Sequence, residues 1–272
     1  MSRRIGEKQL GIPLNPEFGG EFVLRKRGQK PVRLGDLTMT ILGPTQAQMD
    51  TYEKTWNAYL DDKADYIKRL QKRHRRSEGD LRQDDLSDVL DAALEASLTL
   101  SRNQIVTPPN MASIVMLVEE GDQSILLTGD ADDTDIIEGL EKAGKMDEEG
   151  RIHVSALKVP HHGAHNSYSD ELAARVTADN YLFCGDGAHT NPELDVIDGY
   201  LNVLFEGVDG SGPALPEGMC PTFWFNDGPA IADERYKEHW ERVDALLDTW
   251  KDRLGRRVNF KLMARGHSFL VR

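Results

Sequence analysis

The 272-residue sequence predicts an α/β protein, and two patterns carry that prediction. Short apolar runs with the length of buried strands recur along the chain, and segments with apolar residues three and four positions apart lie between them. Strands and helices that alternate in this way form layered folds, in which helices pack on a mostly parallel sheet. A chain of this length, with 39% hydrophobic and 29% charged residues, is able to bury a sizeable core.

The elements before residue 108 follow from apolar spacing and from chain breaks. The break at Gly43-Pro44-Thr45 ends a strand, and Thr45 is a suitable N-cap for the helix after it. The cationic run at 68–76 is typical of a solvated helix face, and phosphate binding is the alternative interpretation. The predicted elements are strands at 21–25 and 37–42, a helix at 46–73, a solvated connection at 68–87 and a helix at 86–100.

After residue 108 the same patterns predict most of the sheet. Residues 120–122 read as a tight turn that joins two strands into a hairpin, whereas 206–230 are rich in Gly and Pro and predict irregular structure. The predicted strands are 113–119, 124–128, 152–159, 180–184, 258–262 and 268–271, and the predicted helices are 133–145, 169–177, 192–204 and 231–254.

Charge and composition exclude several classes of protein. A net charge of −13 argues against broad adhesion to nucleic acid or to an anionic membrane, although bound metal ions reverse the field locally and keep a nucleic-acid substrate open. Two cysteines without close spacing indicate neither a disulfide framework nor a cysteine zinc site. Because no apolar run approaches the roughly 20 residues of a membrane span and no secretory signal is recognisable, we expect a cytoplasmic protein without a membrane partner.

Two motifs carry the chemistry, Leu127-Thr-Gly-Asp-Ala131 and Lys158-Val-Pro-His-His-Gly163, and each follows an apolar strand. They place Asp130 and His161 at strand ends, where a carboxylate and an imidazole are able to share zinc or manganese. The alternative for Asp130 is a helix cap, together with the aspartates at 132 and 133. The alternative for His161 is a hydrogen-bonded histidine without a ligand role.

The order and spacing of these motifs resemble the second half of the metallo-β-lactamase superfamily, especially the branch of bacterial DNA-uptake channel proteins. The resemblance implies an αββα sandwich, of which this chain supplies the C-terminal half with an added C-terminal helix. Residues 1–205 would form the partial domain, and 206–272 would complete it with an irregular segment, a long helix and a closing strand. The resemblance also implies that Asp130 bridges two Zn²⁺ or Mn²⁺ ions and that His161 binds one of them.

The same resemblance suggests roles for neighbouring residues. His162 and His189 are candidates for catalysis through substrate contact or proton transfer, with support of a turn or a loop as the alternative for each. Asn110 and Ser113 match an N-x-x-S pattern of the family, or form a turn without chemical importance. Position 164 commonly carries serine in the family but is alanine here, so Ser167 and Ser169 are candidates to replace its hydroxyl.

The first-half motif of the family, HxHxDH, is absent, and none of the eight histidines stands in it. The expected function is therefore a hydrolase subunit that cleaves a phosphodiester or ester-like bond through a metal-bound hydroxide, with the missing ligands supplied by a chain that bears the HxHxDH half or by a homodimer. A shortened gene copy and a catalytically inactive binding module are the alternatives. A half-sandwich would also expose an apolar face, which favours a partner unless the helix at 231–254 covers that face.

Overall fold

The computed structural model describes residues 13–62 and 108–263, and it confirms an α/β fold with one mixed sheet of eight strands in this part of the chain. The strands are β1 (Val32–Leu34), β2 (Leu37–Gly43), β3 (Val115–Glu120), β4 (Gln123–Leu127), β5 (Ile152–Lys158), β6 (Val176–Phe183), β7 (Thr222–Phe225) and β8 (Asn259–Leu262). The helices are α1 (Gln46–Asp62), α2 (Pro108–Met111), α3 (Asp133–Lys142), α4 (Asp170–Arg175), α5 (Leu194–Glu206) and α6 (Lys237–Leu254).

The strands lie side by side in chain order. β1 to β4 form an antiparallel meander, which contains the predicted hairpin with Glu120 opposite Gln123. β4 to β8 are parallel, and each parallel pair is joined through one of the helices α3 to α6. Since such crossovers are right-handed and all progress in one direction, these four helices form a single layer on one face of the sheet.

The core lies between this helical layer and the sheet. On β6 the side chains of Tyr181 and Phe183 are buried against the helices, and Phe183 stacks on Phe225 of β7 at 4.9 Å between ring centroids. Trp240 of α6 closes the cluster and packs edge to face on Phe225, with 6.2 Å between the ring centroids. α6 therefore packs in the helical layer, on the same face as these aromatic rings.

The opposite face of the sheet carries an apolar patch. Ile125 and Leu127 on β4 remain 41% and 37% exposed, although Leu126 between them is fully buried on the helical face. The strand register places Val118 and Met116 beside them. The alternative that the C-terminal helix covers this face is wrong, because Trp240 anchors that helix on the other face. Within residues 13–62 and 108–263 there is one sheet, so the second sheet of an αββα sandwich stays an expectation.

Three local predictions need correction. Residues 21–25 form no strand. The Arg25 amide donates one hydrogen bond to the Pro44 carbonyl, 2.8 Å away, and the segment does not form the repeated hydrogen bonds of a paired strand. The segment 206–230 is not irregular throughout, because the Phe-Trp-Phe run in β7 pairs with β6 and β8. α6 begins at Lys237 rather than 231, since the preceding residues turn back on the Gly228 carbonyl.

Other predictions fall outside the described residues: the end of the helix at 46–73, the cationic run at 68–76, the connection at 68–87, the helix at 86–100 and the strand at 268–271. Inside residues 13–62 and 108–263, no helix is long and apolar enough to cross a membrane. The predicted Thr45 cap is confirmed, because its Oγ accepts from the Gln48 amide while the Gln48 side chain accepts from the Thr45 amide.

Asp132 is the N-cap of α3, and its removal should destabilise the protein. Its carboxylate accepts hydrogen bonds from the Thr134 amide at 3.0 Å and the Thr134 hydroxyl at 2.6 Å. We expect Asp132→Ala to lower the free energy of unfolding in urea by about 1 kcal/mol, as loss of a helix cap does. Glu241→Ala, at an exposed position of α6, should change it by less than about 0.5 kcal/mol. Equal stability of the two variants would show that α3 does not depend on this cap.

Candidate functional site

The two sequence motifs meet at one edge of the sheet. β4 and β5 are parallel neighbours, so the turns that follow them start side by side. The His161 amide donates to the Gly129 carbonyl at 3.1 Å, and the Thr128 hydroxyl donates to the Lys158 carbonyl at 2.7 Å. Gly129 has φ +57°, and a Cβ at this position would lie 2.8 Å from the Ser113 Cβ. Glycine is therefore required where the first motif passes close to the residues just before β3.

Asp130 presents its carboxylate to two basic side chains. Its Oδ1 lies 3.5 Å from Lys158 Nζ and 3.5 Å from His162 Nε2, and its backbone amide donates to Ser113 Oγ at 3.1 Å. The capping role belongs to Asp132, so the Asp130 side chain is not used to begin α3. It is 34% exposed, which leaves the carboxylate accessible to a ligand.

His161 is held in one orientation from both sides. Its Nδ1 lies 3.0 Å from Asn166 Oδ1 and 3.3 Å from Ser167 Oγ, and its Nε2 lies 3.2 Å from Asn110 Nδ2. With the Asn166 oxygen accepting, Nδ1 carries the proton, and the Nε2 lone pair accepts from the Asn110 amide; a metal bound to Nε2 would replace this hydrogen bond. Burial lowers the pKa of His161, and this favours the neutral ring.

His162 turns its other nitrogen toward Asp130. Its Nδ1 donates to the Cys184 carbonyl at 2.8 Å, so a neutral ring directs the Nε2 lone pair at a carboxylate oxygen 3.5 Å away. Two acceptors in this arrangement repel each other unless a proton or another cation lies between them. Burial lowers the pKa of the neighbouring Lys158, and the Asp130 carboxylate opposes that shift.

The backbone at the second motif is strained. His161 and His162 have φ angles of 45° and 59°, in the left-handed region that residues other than glycine rarely adopt. Each such residue costs about 1–3 kcal/mol and is retained where the surrounding structure needs it, often at functional sites. Gly163 follows with φ +83°, where a Cβ would lie 2.8 Å from the Pro192 Cβ. The strain places both imidazoles on the same turn.

The other candidate residues, His189, Ser167 and Ser169, lie either at the site or in the loops beside it. His189 is exposed in a loop that reaches the His161 turn through the Glu193 amide, which donates to the Gly163 carbonyl at 2.9 Å. Its ring forms no hydrogen bond within residues 13–62 and 108–263, so its role stays a prediction. Of the two serines, Ser167 contacts His161 and Ser169 caps α4.

Sequence reasoning gave no role to three groups that the fold brings to this edge: Lys158, Asn166 and the Cys184 carbonyl. Lys158 belongs to the second motif, and its position just before the histidines could have predicted that it lies at this site. Asn110, for which a chemically unimportant turn was the alternative, contacts the proposed ligand His161 directly. In the described part of the chain, no group of three or more His, Cys, Asp or Glu side chains is placed to hold a metal ion. The donors therefore suit zinc or manganese in kind but not in number.

Comparisons of the chain with protein-family models, with curated proteins and with solved structures find no match.

Proposed function

We propose that the chain is a subunit of a metal-dependent hydrolase that cleaves a phosphodiester or ester-like bond, with Asp130 and His161 among the metal ligands. The observation that carries the proposal is the orientation of the two histidine rings. Each Nδ1 lies within hydrogen-bond distance of an oxygen atom; His162 Nε2 faces the Asp130 carboxylate, and His161 Nε2, which the Asn110 amide approaches, would exchange that contact for a metal ion. The resemblance of both motifs to the second half of the metallo-β-lactamase superfamily supports the same function.

The chemistry divides between the metal and the chain. Two zinc or manganese ions, when bound, would supply the Lewis acid that activates water near neutral pH. The chain orients His161 through Asn166 and Ser167, and it positions His162 Nε2 to exchange a proton beside Asp130. His189, on the adjoining loop, is proposed to contact substrate or transfer a proton.

Completion of the site requires a partner. Catalytic zinc sites take about three ligands from protein, and Asp130 and His161 supply two. The exposed Ile125 and Leu127 lie on the sheet face opposite the helices, where a second layer is able to dock. We propose that a chain bearing the HxHxDH half binds this face; a homodimer is the alternative arrangement.

A second candidate function is a binding module that has lost catalysis. The observation in its favour is Lys158, whose ammonium lies 3.5 Å from Asp130 Oδ1 and already balances the carboxylate charge. A site satisfied in this way needs no metal ion. The two functions therefore differ in whether Asp130 and His161 bind zinc.

Calorimetric titration of zinc into the chelator-treated full chain distinguishes them. We expect zinc to bind, and Asp130→Asn or His161→Gln to weaken binding by at least about tenfold, because each removes a direct ligand. His153→Gln is the matched control, since His153 lies at the opposite end of β5 and pairs with Asp179. This variant should bind zinc like the wild type.

Two results would reject the proposal. If neither zinc nor manganese binds to the chain, alone or mixed with a partner bearing HxHxDH, the binding module replaces the hydrolase. If zinc binds equally to wild type, Asp130→Asn and His161→Gln, the metal lies elsewhere in the chain.

A further inference from the structure

A cleft rich in cations lies beside β2, on a chain whose net charge is −13. Its volume is about 840 Å³, and its walls are the loop at 25–31, the C-terminal end of α3 with the turn after it, and three residues in and after β2, namely Thr40, Ile41 and Thr45. Six of its lining residues are basic, namely Arg25, Lys26, Arg27, Lys30, Lys142 and Lys145. This concentration of positive charge contrasts with the acidic remainder of the protein.

The loop that carries most of these cations is held in shape. The Gln29 amide donates to the Lys26 carbonyl at 3.1 Å, and the Gln29 side chain accepts from the Lys26 amide at 3.0 Å. Gly28, with φ +70°, completes the turn. The Arg25 amide is tied to the Pro44 carbonyl at 2.8 Å. The basic side chains therefore project from a fixed backbone.

Only part of this charge is balanced. Lys145 pairs with Glu119 at 2.7 Å, and Arg25 pairs with Glu138 at 3.0 Å while its Nε is buried without a partner. The remaining four basic residues form no ion pair with a carboxylate anywhere in residues 13–62 and 108–263. An uncompensated cluster inside a cleft concentrates positive potential and attracts anions.

The cleft runs toward the candidate site. Lys145 and its partner Glu119 lie at one end of the strands, where Glu119 of β3 pairs with Ser124 of β4. Thr45 and Arg25 lie at the other end, where Gly43 of β2 pairs with Val115 of β3. Arg25 also lines a small cavity of about 10 Å³ that Ser113 and Ala131 line. Ser113 holds the Asp130 amide, so Arg25 lines both the cleft and a cavity that adjoins the turn carrying Asp130.

We propose that this cleft binds the backbone of a single-stranded nucleic acid and guides it to Asp130 and His161. The role of the cleft in catalysis rests on the proposed function, whereas binding of the strand to the cleft does not depend on it. A cleft of about 840 Å³ accommodates the backbone of one strand but is too small to enclose a duplex, whose major groove alone is about 12 Å wide and 8.5 Å deep.

Fluorescence anisotropy with a labelled single-stranded oligonucleotide, in EDTA and with the full chain, tests the proposal. We expect binding whose affinity falls with salt by about 0.7 logarithmic units per phosphate contact for each decade of salt. The combined variant Lys26→Gln/Arg27→Gln/Lys30→Gln should bind at least about tenfold more weakly and with a smaller salt slope. The matched control Lys237→Gln/Lys251→Gln/Arg256→Gln removes equal charge from exposed positions on and after α6 and should bind like wild type.

Several outcomes would overturn the inference: no binding of the strand at low salt, binding without salt dependence, or equal weakening by the control variant. Equal affinity for a duplex of the same sequence, or displacement by inorganic pyrophosphate at equal phosphate concentration, would also overturn it. Since metal is absent from the assay, its result is independent of zinc binding. Strand binding without a zinc site would support the cleft and reject the hydrolase, and the reverse result would reject only the cleft.

Discussion

Asp130→Ala and His161→Ala should each abolish metal-dependent phosphodiester hydrolysis by the complex of this chain with a partner bearing the HxHxDH half. Each substitution removes a proposed ligand from a site in which the chain supplies only two. The isolated chain should show no turnover for the same reason. The measurement is release of nitrophenolate from bis(p-nitrophenyl) phosphate in the presence of zinc or manganese.

The same variants should remain folded. The Asp130 side chain is partly exposed and contacts only polar groups of its neighbours. Its hydrogen bond to Ser113 comes from the backbone amide, so an alanine at this position retains it. We expect the free energy of unfolding of Asp130→Ala to change by less than about 1 kcal/mol, as for an ion pair near the surface. Robust metal-dependent turnover by the purified chain, unaffected by either substitution, would show that the active site lies elsewhere.

Trp240→Ala should produce the largest loss of stability. The Trp240 side chain is completely buried between α6 and the sheet, beside Phe225 and the backbone of Gly187. Replacement of a buried aromatic ring by a methyl group costs about 3–5 kcal/mol, because the apolar contacts are lost and a cavity remains. The measurement is the free energy of unfolding in urea, followed by circular dichroism.

Phe22→Ala is the matched control, since it also removes an aromatic ring but from a side chain that is 66% exposed. It should change the free energy of unfolding by less than about 0.5 kcal/mol. A loss below about 1 kcal/mol for Trp240→Ala would contradict the packing of α6 against the sheet. That result would also reopen the question of which face of the sheet the helix covers.

The sequence by itself determined the features that depend on neighbours along the chain. The apolar runs before Asp130 and His161 predict strands because burial of a short run needs no distant information, and both strands are present. The Thr45 cap and the hairpin at Glu120–Gln123 follow from side chains a few residues apart. The meeting of the two motifs was predictable as well, since consecutive parallel strands end at the same edge of a sheet.

Only the tertiary structure decided the features that depend on residues far apart in sequence. Asp130 does not cap α3; the contacts of its carboxylate come from Lys158 and His162, which belong to the other motif. β7 exists because β6 and β8 supply its hydrogen-bond partners, which outweighs the Gly and Pro residues around it. The cationic cleft joins the loop at 25–31 to Lys142 and Lys145, more than a hundred positions away. A local sequence pattern does not predict such pairings, because the contacts that stabilise them form only when the chain has folded.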